Sequence, residues 1–506
     1  MTKEYVIDSD ENSDYMYNVV KSIITEIGPR PACSENEKAA SIWSQKELEK
    51  HCDSVDWEGF YCYPSAGPAG PAWVRVAFTL IVSSALLFLL TNINQISKIV
   101  FSIISTGLIS FAIFTFYKSF LRYEEFMAPI SKLKASQNVV GTIKPTEEIT
   151  KRVIFSGHID STIWRQIQYT KYAYSLFLIN GIFSLLPLFV IYILQLIYAI
   201  IGLELTVLTF SINIFIFNFP GIVAIMILTA SRTGLFAGYL EKIPLSSVFM
   251  VIFLTSIPYI IVLFFCIIGF ELILPNSAII YVLMNMIFYI GDVFMVNKKG
   301  GPGATDNLTP VAICHGIAKV LHDWKEQQYQ DFPKNTEIKI LICGCEECGL
   351  RGSMVFAQRH SRQYNKIYTK CVNFESIVNS EYLKFYTREN TTGTEMDIEI
   401  VNDLKEIADK LNISYKILAQ PALAGATDAA GLVKGGLQAT CIEGFHNHDM
   451  LSYYHTSRDN LDMLNKERRP CNDHGTNWKN RNIRCAMENV LKICIEYIKF
   501  VDKKEI

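Results

Sequence analysis

Polar stretches of mixed pattern alternate along this chain with long apolar runs. Residues 76–97 and 99–117 carry no Asp, Glu, Lys or Arg, with Lys98 alone between them. Residues 173–203, 205–231, 243–270 and 272–291 are equally free of those charges. A bilayer crossing takes about 20 mostly apolar residues, so the pattern predicts six transmembrane helices, a hairpin followed by four more. Pro187, Pro220 and Pro258 fall inside these runs, where membrane helices tolerate proline better than soluble ones do.

The polar stretches carry helix and strand periods in turn. Tyr17, Val19, Val20, Ile23 and Ile24 mark an amphipathic helix that ends at Gly28-Pro29-Arg30-Pro31. A second runs from Ala39 to Leu48, and Ser34 with Glu37 before it has the spacing of a capping box. Residues 138–143 and 152–157 read as short buried strands, the second delivering His158 at its C-terminal end. A helix pattern follows Asp306, a strand covers 337–343, another helix starts at Leu350, and further strands end near Glu375 and Glu443. Strands alternating with helices, with polar residues at strand ends, predict an α/β fold with a doubly wound mixed sheet and its site along that edge. Segments 1–72, 118–172 and 297–506 then form one domain, interrupted by membrane segments 73–117 and 173–296. Residues 466–485 read as a polar, irregular loop before a last helix.

Charge predicts orientation. Arg75, Lys118, Arg122, Arg165, Lys171, Arg232, Lys242, Lys298 and Lys299 flank the runs on one side, whereas the opposite loops offer only Lys98, with Glu204 and Glu271. Excess Lys and Arg marks the cytoplasmic face, so the polar domain and both termini are expected in the cytoplasm. The thirteen cysteines are too sparse for a disulfide scaffold and are expected to be reduced there. The first residues lack an apolar stretch, so no cleavable signal peptide is expected. A net charge of −2 and the lack of a basic tract argue against a nucleic-acid partner. Asn180, Asn213, Asn218, Asn285, Gln195 and Asp292 are the polar candidates within or beside the spans. They make no chain of buried charges, so ion-coupled transport is weakly supported.

The chemistry lies in five groups. His158-x-Asp160 follows a strand; Asp306 sits in a glycine-rich turn before a helix; Glu346-Glu347 ends a strand; Glu375 ends the next; and His455 lies in a loop. Adjacent carboxylates repel unless a cation or a shared proton relieves them. Two histidines, several carboxylates and a spare Glu are what a pair of zinc ions with an activated water needs. H-E-x-x-H is absent, which excludes the helix-borne zinc arrangement. Cys345-x-x-Cys348 brackets the Glu pair and is a candidate redox or zinc motif, with either role disfavoured because no second C-x-x-C is present.

These strings resemble the di-zinc aminopeptidases of metallopeptidase family 28. Matching are Gly28-Pro-Arg-Pro with Ser34-Glu-Asn-Glu37, Ser156-Gly-His-Ile-Asp160, Gly303-Ala-Thr-Asp-Asn307, Glu346-Glu347 and His455-Thr-Ser-Arg-Asp459; Gly425-Ala-Thr-Asp428 resembles the turn before the family's last core helix. The resemblance implies a peptide substrate and two zinc ions bridged by Asp306. His158 and Glu375 would complete one shell, Glu347 and His455 the other. Asp160 would orient His158 from behind. Glu346 would be the general base for a zinc-activated water and then the acid for the leaving amine. The family usually has Asp at the Glu375 position. Tyr453 or Tyr454 is a candidate for oxyanion stabilisation, Arg458 and Asp459 for a loop-locking salt bridge or a substrate contact, and His446-Asn-His448-Asp449 for pocket lining. With the membrane runs, the expectation is a membrane-embedded exopeptidase, most simply an aminopeptidase, acting on hydrophobic or membrane-derived peptides at the lipid bilayer. The alternatives are an inactive membrane scaffold or receptor, and glutaminyl-cyclase-like acyl transfer. Oligomeric state is not legible.

Overall fold

A computed structural model of the chain describes residues 9–68, 70–89, 94–162, scattered positions between 189 and 201, and then 300–421, 424–445, 454–455, 457–465 and 483–505. The chain divides into two compact units, one comprising Met1–Ala69, Leu121–Trp164 and Asn297–Ile506, the other Gly70–Phe120 and Arg165–Val296.

The first unit is built on a nine-stranded mixed sheet. Its strands are β1 Ser54–Cys62, β2 Lys134–Ile143, β3 Lys151–His158, β4 Thr336–Cys343, β5 Tyr368–Ile377, β6 Leu383–Glu389, β7 Thr394–Glu395, β8 Tyr415–Gln420 and β9 Ala439–Gly444. The spatial order is β1-β2-β4-β3-β5-β9-β6-β7, with β8 on β6. The four central strands, β4, β3, β5 and β9, run parallel. β3 and β4 are buried along their whole length, as parallel strands covered on both faces must be. Side chains alternate between two cores: Val153 and Phe155 face one, and Ile154 between them faces the other.

Helices α1 Ser9–Glu26 and α2 Glu35–Leu48 open this unit. Among the described residues of the second unit are α3 Pro71–Leu89 and α4 Gln95–Phe116. Back in the sheet unit come α5 Thr309–Glu326, α6 Arg351–Tyr364, α7 Ile398–Lys410, α8 Asp428–Lys434, α9 Leu461–Asn465 and α10 Ile483–Lys503. α1, α5, α7 and α10 pack the core that holds Val153, and α6 and α8 the opposite one. The Gly425–Asp428 turn therefore opens a seven-residue helix, and the final core helix is α10. The capping box at Ser34 is half made. Ser34 accepts from the Glu37 amide, but the Glu37 side chain turns inward and accepts from the amides of Cys33 and Cys345 at 2.8 and 2.7 Å.

In the second unit, α3 and α4 pack as a hairpin, tied by the Ser105 hydroxyl donating to the Ser84 carbonyl at 2.9 Å. Asn94 and Ser97 cap α4 reciprocally, so Lys98 lies inside the first turn rather than between the helices. Among the described residues one helix, Gln95–Leu121, is long and apolar enough to cross a membrane. The four later runs expected to span lie almost wholly outside the described residues.

Candidate metal centre

The site assembles where the parallel strands end. β3 and β4 pair in register to their last residues, His158 beside Cys343, so the chain leaving β4 carries Glu346 and Glu347 past His158. β5 brings Glu375, which pairs with Glu443 of β9. The turn Gly303–Leu308 brings Asp306, and the loop ahead of α9 brings His455.

All seven residues singled out from the sequence meet here. His158 Nε2 lies 3.3 Å from Asp306 Oδ1, 3.6 Å from Glu346 Oε2 and 3.9 Å from Glu375 Oε2. His455 Nε2 lies 3.0 Å from Asp306 Oδ2 and 3.6 Å from Glu347 Oε1. Two three-residue groups with metal-ligating atoms thus share one member: His158, Asp306 and Glu375, and Asp306, Glu347 and His455. The extra methylene of Glu375, against the expected Asp, still brings its Oε2 into the first group.

Hydrogen bonds around the centre hold the carboxylates from behind. Asp160 reaches His158 Nδ1 with its backbone carbonyl at 3.1 Å and its carboxylate at 3.4 Å. The same carboxylate accepts from the amides of Glu346 and Glu347 at 3.0 and 3.1 Å. It therefore positions the glutamate pair as well as the histidine. Asp459 does the equivalent for Asp306, accepting from the amides of Thr305 at 2.7 Å and Asp306 at 3.1 Å and from the Thr305 hydroxyl. The Asn307 carboxamide fastens the turn to β5, donating to the Phe374 carbonyl and accepting from the Ser376 amide.

Arg30 is the residue whose role the sequence did not disclose. Fully buried, it donates from Nε to the Ile159 carbonyl and from its two terminal nitrogens to the carbonyls of Gly28, Pro302 and Gly303, all at 2.7–3.0 Å. Its own amide donates to Ser161 Oγ, which donates to the Gly301 carbonyl at 2.8 Å. Gly303 needs its missing side chain: at φ +60°, a Cβ would come within 2.6 Å of the Asp306 carbonyl and 3.0 Å of the Arg30 guanidinium.

The electrostatics describe a centre short of positive charge. Burial raises the carboxyls of Glu346, Glu347 and Glu375 well above their ordinary range, and neighbouring carboxylates reinforce it. Burial pushes Asp306 the same way, but His158 and His455 outweigh it and hold its carboxyl low. Burial works against a charge on His158, yet Glu346, Asp160 and Asp306 raise it well above its usual value. Among the described residues, Glu347 Oε1 and Glu375 Oε2 are buried without a hydrogen-bond partner. An unpaired buried carboxylate oxygen is costly, and a divalent cation held by N and O donors is the group that relieves it. The residues present fit zinc.

A cavity opens on the centre, lined by Asp306, Glu346, Glu375, Glu443, Phe445 and Tyr454. Tyr454 stacks on His455, ring centroids 3.8 Å apart. Tyr453, His446 and His448 lie outside the described residues.

The profile of Peptidase family M28 matches residues 292–470. Among solved structures, the chain is similar to an aminopeptidase from Aneurinibacillus sp. strain AM-1, with 13% identity, 96% of this chain and 93% of that chain covered, and a TM-score of 0.45. It is similar to BSAP, a zinc aminopeptidase from Bacillus subtilis, with 10% identity, 97% and 96% covered, and a TM-score of 0.45. It is also similar to Porphyromonas gingivalis glutaminyl cyclase, with 10% identity, 97% and 98% covered, and a TM-score of 0.43. No curated protein matches the chain.

Proposed function

We propose that this chain is a membrane-integrated zinc exopeptidase of metallopeptidase family 28, an aminopeptidase that removes N-terminal residues from peptides. The observation that carries the reading is the pair of ligand groups sharing Asp306, with Glu346 beside them. His158, Asp306 and Glu375 would hold one zinc ion, and Asp306, Glu347 and His455 the second. Bound there, the ions would supply the Lewis acidity that makes a water nucleophilic near neutral pH and polarises the scissile carbonyl.

The remaining work falls to side chains. Glu346 is buried, raised in pKa, and held by Asp160 through its backbone amide. It takes a proton from the attacking water and returns it to the leaving nitrogen as the C–N bond breaks, releasing an amino acid and a shortened peptide. Tyr454 lines the cavity and would donate its hydroxyl to the oxyanion that develops on the carbonyl.

The charge-free runs support membrane placement, and the one-sided distribution of Lys and Arg supports a cytoplasmic catalytic unit. The substrates fitting that placement are hydrophobic peptides left by cleavage within the bilayer. The test is an aminoacyl and peptide screen with detergent-purified protein, wild type against Glu346→Gln. Wild type should cleave, with apolar membrane-derived peptides preferred. Glu346→Gln should keep wild-type zinc content and lose about 10²–10⁴ in rate. Undiminished hydrolysis by the variant would remove Glu346 from the chemistry, and a preference for soluble peptides would remove the membrane-derived substrate.

A further inference from the structure

Outside the carboxylate–histidine centre, four cysteines from three distant stretches of chain come together. Cys33 Sγ lies 3.4 Å from Cys62 Sγ and 3.6 Å from Cys345 Sγ, and the last two are 3.3 Å apart. These three sulfurs form one group able to hold an ion; Cys348 adjoins it, its thiol hydrogen-bonded to that of Cys345 and its side chain in the same small core as Cys62, and would turn in as the fourth ligand. We propose that Cys33, Cys62, Cys345 and Cys348 form a second, structural metal site, an all-thiolate cage for zinc.

Distance supports a shared ion over the bland alternatives. Zinc bound to sulfur at about 2.3 Å on a tetrahedron sets its ligands about 3.8 Å apart. The observed triangle has to open by only a few tenths of an ångström. A disulfide would draw two sulfurs to about 2.05 Å and leave the third without its partner; three nearly equal separations are what a common ligand produces. The separations in sequence, 29, 283 and 312 positions, explain why Cys345-x-x-Cys348 alone marks the site in the sequence and no second C-x-x-C accompanies it.

The backbone is shaped to deliver these sulfurs. Cys33 and Cys345 both occupy the left-handed region, φ 57° and 56°, which is unfavourable for a residue with a side chain. Glycine would sit there unstrained, so the cysteines are explained by what their thiols do. The Glu37 carboxylate accepts from the amides of these same two residues and pins them side by side. Cys33 is half-buried while Cys62, Cys345 and Cys348 are buried, which leaves one ligand open to an arriving ion. Loading exchanges one proton per ligated thiol, four in all, for the cation. The cage stands independently of the peptidase reading, although Cys345 and Cys348 bracket Glu346 and Glu347 and an ion there would hold that loop.

The test uses the full chain in detergent, stripped of metal under reducing conditions and reloaded with Co2+. A thiolate-to-Co2+ charge-transfer band should appear, which the N and O donors of the other centre cannot produce. Cys33→Ser and Cys62→Ser should each lose the band and one bound ion per chain, with circular dichroism unchanged. Glu346→Gln should keep the band, so failure of the hydrolytic reading and failure of the cage are told apart. Wild type without the band overturns the proposal whatever the variants do, as does a Cys33–Cys62 or Cys345–Cys348 disulfide in the freshly isolated, unreduced protein.

Discussion

Arg30 donates to four backbone carbonyls, that of nearby Gly28 and three drawn from the two halves of an interrupted motif, Ile159 after His158 and Pro302 and Gly303 before Asp306. Burial lowers its guanidinium to about 10, opposed by Asp459, Asp160 and Asp306, so it stays charged at neutral pH and balances three of the carboxylates behind the centre. Arg30→Met should remove both services. Each buried acceptor left unpaired costs about 1–3 kcal/mol, so a loss of at least 3 kcal/mol is expected in denaturant unfolding, together with weaker zinc retention on dialysis. An unchanged midpoint would show that the carbonyls find other donors. The candidate ligands were legible in the sequence because each stands in a short local string with a strand or a turn beside it. The role of Arg30 was not, since its partners lie up to 273 positions away and are backbone atoms that leave no residue signature. Half of the cysteine cage was visible as Cys345-x-x-Cys348, but Cys33 and Cys62 lie 312 and 283 positions from Cys345 and were not connected to it, and the double duty of Asp160 emerged only once β4 lay beside β3.

Between elements, the packing of α2 on α5 carries a pH response. His315 Nε2 pairs with Ser44 Oγ at 2.7 Å, and burial lowers the imidazole from 6.5 to about 3. The folded state therefore refuses a proton that the unfolded chain accepts. Stability from this group is fully present above pH 6.5 and falls as pH drops towards 3, by about 1.4 kcal/mol per pH unit. His315→Gln, which keeps a hydrogen-bonding side chain, should flatten the fall of the melting temperature across that window. An equally steep fall in the variant would assign the response elsewhere. The central strands were legible as continuous apolar runs, and α5 and α6 from their period. β1 and β8 were missed because both are half-exposed strands of mixed polarity, and such strands read as loops. The hairpin boundary moved because Asn94 and Ser97 cap α4, a local bond that outweighs the charge on Lys98.

At the scale of the molecule, the sheet unit is complete in its own core, and both interruptions leave and re-enter at closed roots. Ser161 Oγ donates to the Gly301 carbonyl, and the Gly301 amide to the Thr162 carbonyl at 2.9 Å; the Tyr63 amide donates to Glu125 at 2.6 Å. Replacing residues 70–120 and 165–296 with short Gly/Ser linkers should therefore leave a detergent-free protein with the circular dichroism of an α/β domain and with zinc bound. Aggregation of that chain under all conditions would mean the inserts support the fold. The clasp at Gly301 joins positions 140 apart in sequence, and this has an entropic side. The cost of closing a flexible loop grows only as the logarithm of its length, so a loop of 140 residues costs roughly 3 kcal/mol more to close than one of about five. Chain length is a weak variable at such a joint. Inserts of very different size on the same clasp should leave His158 and Asp306 facing each other as they do now.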